Sequence, residues 1–255
     1  MFRLPVSRTD IEFRHATGAE DMLLLESDRA LVETSIALAQ ELTRQPDGSD
    51  VDAEALPVSD LEAVLLELRR RVFGDLIVSR VQCPAKDCGA ATDVSFRISE
   101  YVAHHRARKP ANVAPAKEAG WWQLVGEDVE FRLATAGDLA AAVRSPNPER
   151  ELALRTIRSN LPGAWKRAQK AMLALAPPLS GDMEGKCPQC GASVRFWFDV
   201  QSYVQRELRY DAEFLYEDVH LLASRYHWTE EKILSLPRER RVQYVEMALR
   251  GAGGR

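Results

Sequence analysis

Cys83-Pro84-Ala85-Lys86-Asp87-Cys88-Gly89 is the stretch on which the fold turns, because its counterpart, Cys187-Pro188-Gln189-Cys190-Gly191, holds the only other cysteines of the chain. Both open with Cys-Pro and close with Cys-Gly. Four thiolates carried on two tight turns are what a closed, tetrahedral structural zinc site needs. The glycine after each second cysteine, Gly89 or Gly191, lets the backbone bend sharply beside the metal. The C-x2-C spacing of the second turn is diagnostic, whereas the C-x4-C of the first lies at the loose end of the usual range. A disulfide pair or four free core thiols is the competing reading, and nothing in the sequence suggests export to an oxidising compartment. One structural Zn2+ shared by Cys83, Cys88, Cys187 and Cys190 is therefore the expected cofactor. Four cysteines fill the coordination shell, which leaves no open position for catalysis and no need for His104 or His105 as a ligand.

Outward from the knuckles, the chain repeats itself. Asp10-Ile11-Glu12-Phe13-Arg14-His15-Ala16-Thr17 returns as Asp128-Val129-Glu130-Phe131-Arg132-Leu133-Ala134-Thr135, an offset of 118 residues. Each copy alternates apolar and polar residues as a half-buried strand does, and a Gly/Asp turn follows it at Gly18 and Asp21, or at Gly137 and Asp138. The segments after the knuckles match as well: Val94 to Ile98 with Tyr101-Val102, and Val194 to Phe198 with Tyr203-Val204. Two matches in one order, with the cysteines in phase, point to an internal duplication.

Between strand and knuckle each half reads helical. A helix is expected over residues 28–44, with Gln45-Pro46-Asp47-Gly48-Ser49 breaking it. Ser59 and Glu62 have capping-box spacing ahead of Leu61, Val64, Leu65, Leu68 and Val72, and Gly74 is a natural stop. In the second half Asn147-Pro148 opens a helix, Pro162-Gly163 interrupts, and Trp165 to Leu175 continues until Pro177-Pro178. Lys109 to Pro115 has the composition of a linker. Beyond the second knuckle, Val204, Leu208, Leu215, Leu222 and Tyr226 mark one face of a long helix. Thr229 then caps a short helix over Glu230 to Leu234, and Leu236-Pro237 starts a last one.

The expected fold class is α+β, mainly helical: duplicated strand–helices–zinc-knuckle halves joined at one zinc-ribbon-like site, plus a C-terminal helical tail. The boundaries fall at 1–105 for the first half, 106–119 for the linker, 120–204 for the second half and 205–255 for the tail, all in one compact unit. With a metal joining the halves, its loss is expected to separate them.

The chain has 255 residues, is 45% hydrophobic and 28% charged, and carries a net charge of −4. That balance disfavours a general nucleic-acid binder, which needs a basic surface. No stretch approaches the 18 or so apolar residues of a membrane span, so the chain reads as soluble and cytoplasmic. A Gly-rich phosphate loop, Gly-x-Ser-x-Gly and His-Glu-x2-His are all missing. Glu217 and His220 have half of a di-iron spacing without a helical partner, and Glu12 and His15 lie on a strand. Trp121-Trp122 reads as strand core rather than as a binding platform. No small-molecule substrate is implied.

The paired Glu-Phe-Arg-x-Ala-Thr strands, Arg70 to Asp75, both knuckles, Tyr226-His227-Trp228-Thr229-Glu230-Glu231-Lys232-Ile233 and Leu236-Pro237-Arg238-Glu239-Arg240-Arg241-Val242-Gln243-Tyr244 together resemble one family. It is the T-even-phage-type baseplate hub assembly chaperones, and in particular the zinc-knuckle members that accompany phage-tail-like contractile injection systems. The resemblance covers nearly the whole chain. It implies a non-enzymatic assembly factor whose partner is a hub or spike protein of a baseplate, with Trp228, Arg238, Arg241 and Tyr244 as candidate partner-binding residues. A permanent baseplate component and a zinc-ribbon nucleic-acid-binding protein are the alternatives.

Overall fold

The computed structural model describes residues 1–159 and 161–252. The first stretch runs β1 (Phe2–Arg3), β2 (Asp10–Phe13), α1 (Gly18–Glu26), α2 (Leu31–Leu42), β3 (Thr43–Arg44), α3 (Val58–Phe73), β4 (Leu76–Gln82), β5 (Ala91–Arg97) and α4 (Ile98–His104). The second runs β6 (Val113–Pro115), β7 (Trp121–Leu124), β8 (Glu130–Arg132), α5 (Ala136–Val143), α6 (Pro148–Thr156), β9 (Ile157–Arg158), α7 (Ala164–Leu175), β10 (Gly181–Lys186), β11 (Ser193–Phe198) and α8 (Val200–Ala212). α9 (Leu215–Tyr226), α10 (Glu230–Leu234) and α11 (Arg238–Ala252) complete a mixed α/β chain.

The two similar strand segments lead into similar local structures. Thr17 caps α1 in a capping box with Glu20, and Arg14 grips the same carboxylate at 2.6 Å. Thr135 caps α5 in a capping box with Asp138, held at 2.6 Å by Arg132. The expected turns after both strands are therefore wrong. Each Thr-x-x-acid sequence supplies partners for free amides at a helix start, so the chain enters a helix directly.

These carboxylates also give the pair a pH signature. Burial raises the pKa of Glu20 and Asp138, but the Arg14 and Arg132 guanidiniums and the capping amides outweigh it and hold both below their ordinary 4.5 and 3.8. A depressed folded pKa gives stability that is present above the unfolded value and is lost as pH falls through the folded one. Arg132→Met should accordingly lower the urea midpoint near neutral pH, and its difference from wild type should shrink as pH falls below 3.8. A difference that stays constant through that range would mean that the ion pair contributes nothing.

Four other sequence expectations need correction. Residues 28–44 contain α2 over Leu31–Leu42 alone, with Thr43 and Arg44 extended and paired to β2. Ser59 and Glu62 do not form a capping box, because α3 begins at Val58 after Pro57. Instead the Ser59 hydroxyl donates to the Ala176 carbonyl, and Glu62 accepts from Leu179 N at 2.8 Å and Ser180 Oγ at 2.6 Å. Within the segment read as linker, Val113–Pro115 forms strand β6. The long helix expected after the second knuckle is two, α8 and α9, broken around Glu213-Phe214. The short helix capped by Thr229 and the Asn147-Pro148 helix start are as read.

Two cores hold the chain together. A four-stranded antiparallel sheet, ordered β6-β7-β8-β9, packs Val113, Leu124 and Phe131 against Ala164, Ala168 and Ala171 of α7. Trp122 packs on this core, and the Arg158 guanidinium covers the Trp121 ring at 3.6 Å. The larger core gathers α1, α2 and α3 around α8, whose Val200, Val204 and Leu208 are buried with Leu38, Leu61 and Leu65. Helix α8 thus seats residues that follow the second knuckle among helices that precede the first, and it runs across position 204. This apolar contact does not involve the cysteines, so it opposes the separation of the halves expected on loss of a metal.

Candidate metal centre

Both knuckles are the tips of antiparallel hairpins. β4 pairs with β5 from Leu76↔Arg97 to Gln82↔Ala91, and β10 pairs with β11 from Gly181↔Phe198 to Lys186↔Ser193. Each tip closes in the same way: Cys83 N donates to Ala90 O and Cys187 N to Ala192 O, both at 2.9 Å. Gly89 and Gly191 take φ of +56° and +73°, the left-handed turn that glycine adopts without strain. At the hairpin bases, Phe96 meets Phe198 edge to face with ring centroids 5.3 Å apart. The Tyr101 hydroxyl donates to Leu179 O at 2.7 Å, which ties α4 to the segment leading into β10.

This arrangement brings all four expected ligands together. Their sulfurs lie within 4.8 Å of one another, with Cys83 to Cys190 at 3.6 Å and Cys88 to Cys187 at 3.9 Å. A tetrahedral zinc with Zn–S bonds of about 2.3 Å places its sulfurs about 3.8 Å apart, so the donor set fits such an ion. The Cys83–Cys190 and Cys88–Cys187 pairs both cross between hairpins, as a shared ion requires. His104 and His105 stand elsewhere, the latter with Nδ1 2.8 Å from Tyr101 O.

The electrostatics favour a cation. Backbone N–H groups of Cys190 and Gln189, then the Thr92 hydroxyl, draw the Cys187 thiol down to about 6. Cys83, despite the backbone N–H of Ala85, is pushed up to about 12 by burial and its neighbouring thiols. A metal ion would take the place of the protons these thiols share, and its binding would release them. Thr92, 3.7 Å from Cys187 Sγ, is a supporting residue that sequence reading missed, since nothing in its local pattern marks it.

The tail residues divide into two groups. Trp228 stacks on Tyr226 and meets Tyr244 edge on, both at 5.0 Å, so these rings fasten α9 to α11 while staying partly exposed. Arg238 and Arg241 turn inward instead. Asp21, fully buried on α1, takes an ion pair from each, while Asp211 and Asp218 hold their other faces. Arg241 is 2% exposed, so its guanidinium braces the fold and does not present a partner surface. Burial, then the neighbouring Arg241, pushes Arg238 down to about 10, and it stays charged at neutral pH. Sequence reading places Asp21 in a turn and misses its role as counterion, because its partners lie 217 and 220 residues away.

Gly18 sets how closely α1 meets the tail. A methyl carbon on it would lie 2.6 Å from Leu234 Cδ2, 2.9 Å from Leu234 Cα and 3.1 Å from Arg241 Nη1. Backbone cannot yield as a side chain can, so Gly18→Ala should displace α10 and cost about 1–3 kcal/mol. Faster proteolysis between α9 and α11, with metal content unchanged, is the expected readout. Wild-type resistance would show that the contact is looser than drawn.

The fold and site define a helix-rich mixed α/β protein whose two hairpins present a four-cysteine cluster compatible with a metal ion. The family model described as "T4 bacteriophage base plate protein" matches residues 1–118, which supports a phage-baseplate-related protein. No curated protein and no solved structure matches the chain. Among the described residues, no helix is long and apolar enough to cross a membrane.

Proposed function

We propose that the chain is a non-enzymatic assembly chaperone for the baseplate hub of a phage tail or a phage-tail-like contractile injection system, acting in the cytoplasm. The match of residues 1–118 to a phage base plate family carries this reading. In it, Cys83, Cys88, Cys187 and Cys190 hold one structural zinc, which clamps the two hairpins while helices on either side form a rigid platform. The two halves derive from a duplication, a reading supported by the same arginine–acid–threonine cap at α1 and α5. Partners are other baseplate proteins, a hub or spike subunit first among them. The exposed edges of Trp228 and Tyr244 are the tail's contribution to that contact.

The test compares a tagged-protein pull-down from cells assembling particles with the purified finished particles, both by mass spectrometry. Hub or spike subunits in the pull-down, with this chain absent from the particles, is the expected result. Its presence at fixed stoichiometry in the particles would make it a permanent baseplate component. Recovery of neither hub nor spike would overturn both forms of the reading.

A further inference from the structure

The cleft between α7 and the loop leading to β6 is a second, unassigned site. It encloses about 390 Å³ and is lined by Arg108, Lys109, Arg167 and Lys170, with Ala171 and Ala174 along its apolar wall. Arg167, Lys170, Ala171 and Ala174 recur at helical spacing, so they form one stripe of α7 facing the loop. The loop is fixed against that stripe, because Arg108 N donates to Ala174 O at 2.7 Å. The side chains of Arg108 and Lys109 therefore project from an anchored backbone.

Charge makes the cleft unusual for this molecule. The whole chain carries −4, yet no acidic residue lines the cleft, and α7 holds Lys166, Arg167 and Lys170 without an acid. Arg167 is paired with Glu127 at 2.7 Å. Among the described residues, Arg108, Lys109 and Lys170 form no ion pair, so three cations line one cleft without a counterion. Like charges gathered without counterions cost stability, and a bound anion relieves that cost.

We propose that this cleft binds a short acidic segment of a partner protein, whose carboxylates pair with Arg108, Lys109 and Lys170 while a small apolar side chain rests on Ala174. A nucleic-acid strand fits less well. No aromatic residue lines the cleft to stack on bases, and the negative balance of the remaining chain repels an extended phosphate backbone. The site stands apart from the cysteine cluster and does not depend on the partner being a baseplate protein.

Fluorescence anisotropy on the full chain tests this, with a labelled polyglutamate peptide and a labelled single-stranded oligonucleotide of equal charge as probes. The peptide is expected to bind and to loosen as salt rises. Arg108→Glu with Lys170→Glu should weaken it by about tenfold or more. Both side chains are exposed, so the variant should keep the wild-type melting curve. Absence of peptide binding, equal binding by a folded variant, or tighter binding of the oligonucleotide than of the peptide would each overturn the proposal.

Discussion

Cys187→Ser is expected to abolish stoichiometric metal binding and to lower the thermal midpoint by roughly 10–15 °C. The serine hydroxyl is a hard, weakly acidic donor where a soft thiolate is needed, so three cysteines cannot close the shell. An ion held by all four cysteines would cross-link 83–88 to 187–190, and a cross-link closing a loop of about a hundred residues is worth on the order of 4–5 kcal/mol in the chain-entropy picture. For a chain of this size each kcal/mol moves the midpoint by about 2–4 °C. The cores described above survive the change, so circular dichroism should keep its helical signal while β4–β5 and β10–β11 become protease-sensitive. Because the four thiolates act as one unit, Cys83→Ser added to Cys187→Ser should cost little more than either alone. Full metal occupancy and an unchanged midpoint in Cys187→Ser would end the shared-site reading.

What the sequence displayed and what it hid divide along contact distance. The cysteine turns, the Gly74 stop and the caps at Asn147 and Thr229 were legible because each is a local arrangement of a few neighbouring residues. Neither strand entering a knuckle was read: β4 carries a Leu76-Ile77-Val78 run that could have signalled it, whereas β10 has two glycines and three charges in six residues and takes its strand form from pairing with β11. The α8–α9 break has neither glycine nor proline to announce it. Glu62 shows the opposite hazard, a local capping pattern recruited for a tertiary task, since its carboxylate receives the Leu179 and Ser180 amides from across the chain. Arg238 and Arg241 look like surface cations on a polar helix until Asp21, Asp211 and Asp218 are folded around them.

Asp21→Ala should release the tail and cost on the order of 3–5 kcal/mol, the range for removing one partner of a buried charge pair. Asp21 is fully buried and is the one carboxylate that both Arg238 and Arg241 share. The cluster is already short of acceptors, since Arg238 Nε and Arg241 Nη1 have no hydrogen-bond partner. Removal of Asp21 leaves two guanidiniums side by side, paired with Asp211 and Asp218 and with Glu20 farther off, their mutual repulsion no longer screened by an intervening anion. The tail is otherwise fastened to this region by Arg238 N donating to Ala16 O at 2.9 Å, just ahead of α1, and by the close packing of Leu234 on Gly18. Early loss of α10 and α11 under limited proteolysis is therefore expected, with metal content retained because the hairpins lie in a separate cluster. A rescue separates lost charge pairing from general misfolding: adding Arg238→Met and Arg241→Met to Asp21→Ala replaces the ionic cluster with apolar volume and should recover much of the midpoint. If Asp21→Ala alone melts within about 2 °C of wild type, the arginines have other partners and the buried clamp is not what holds the tail.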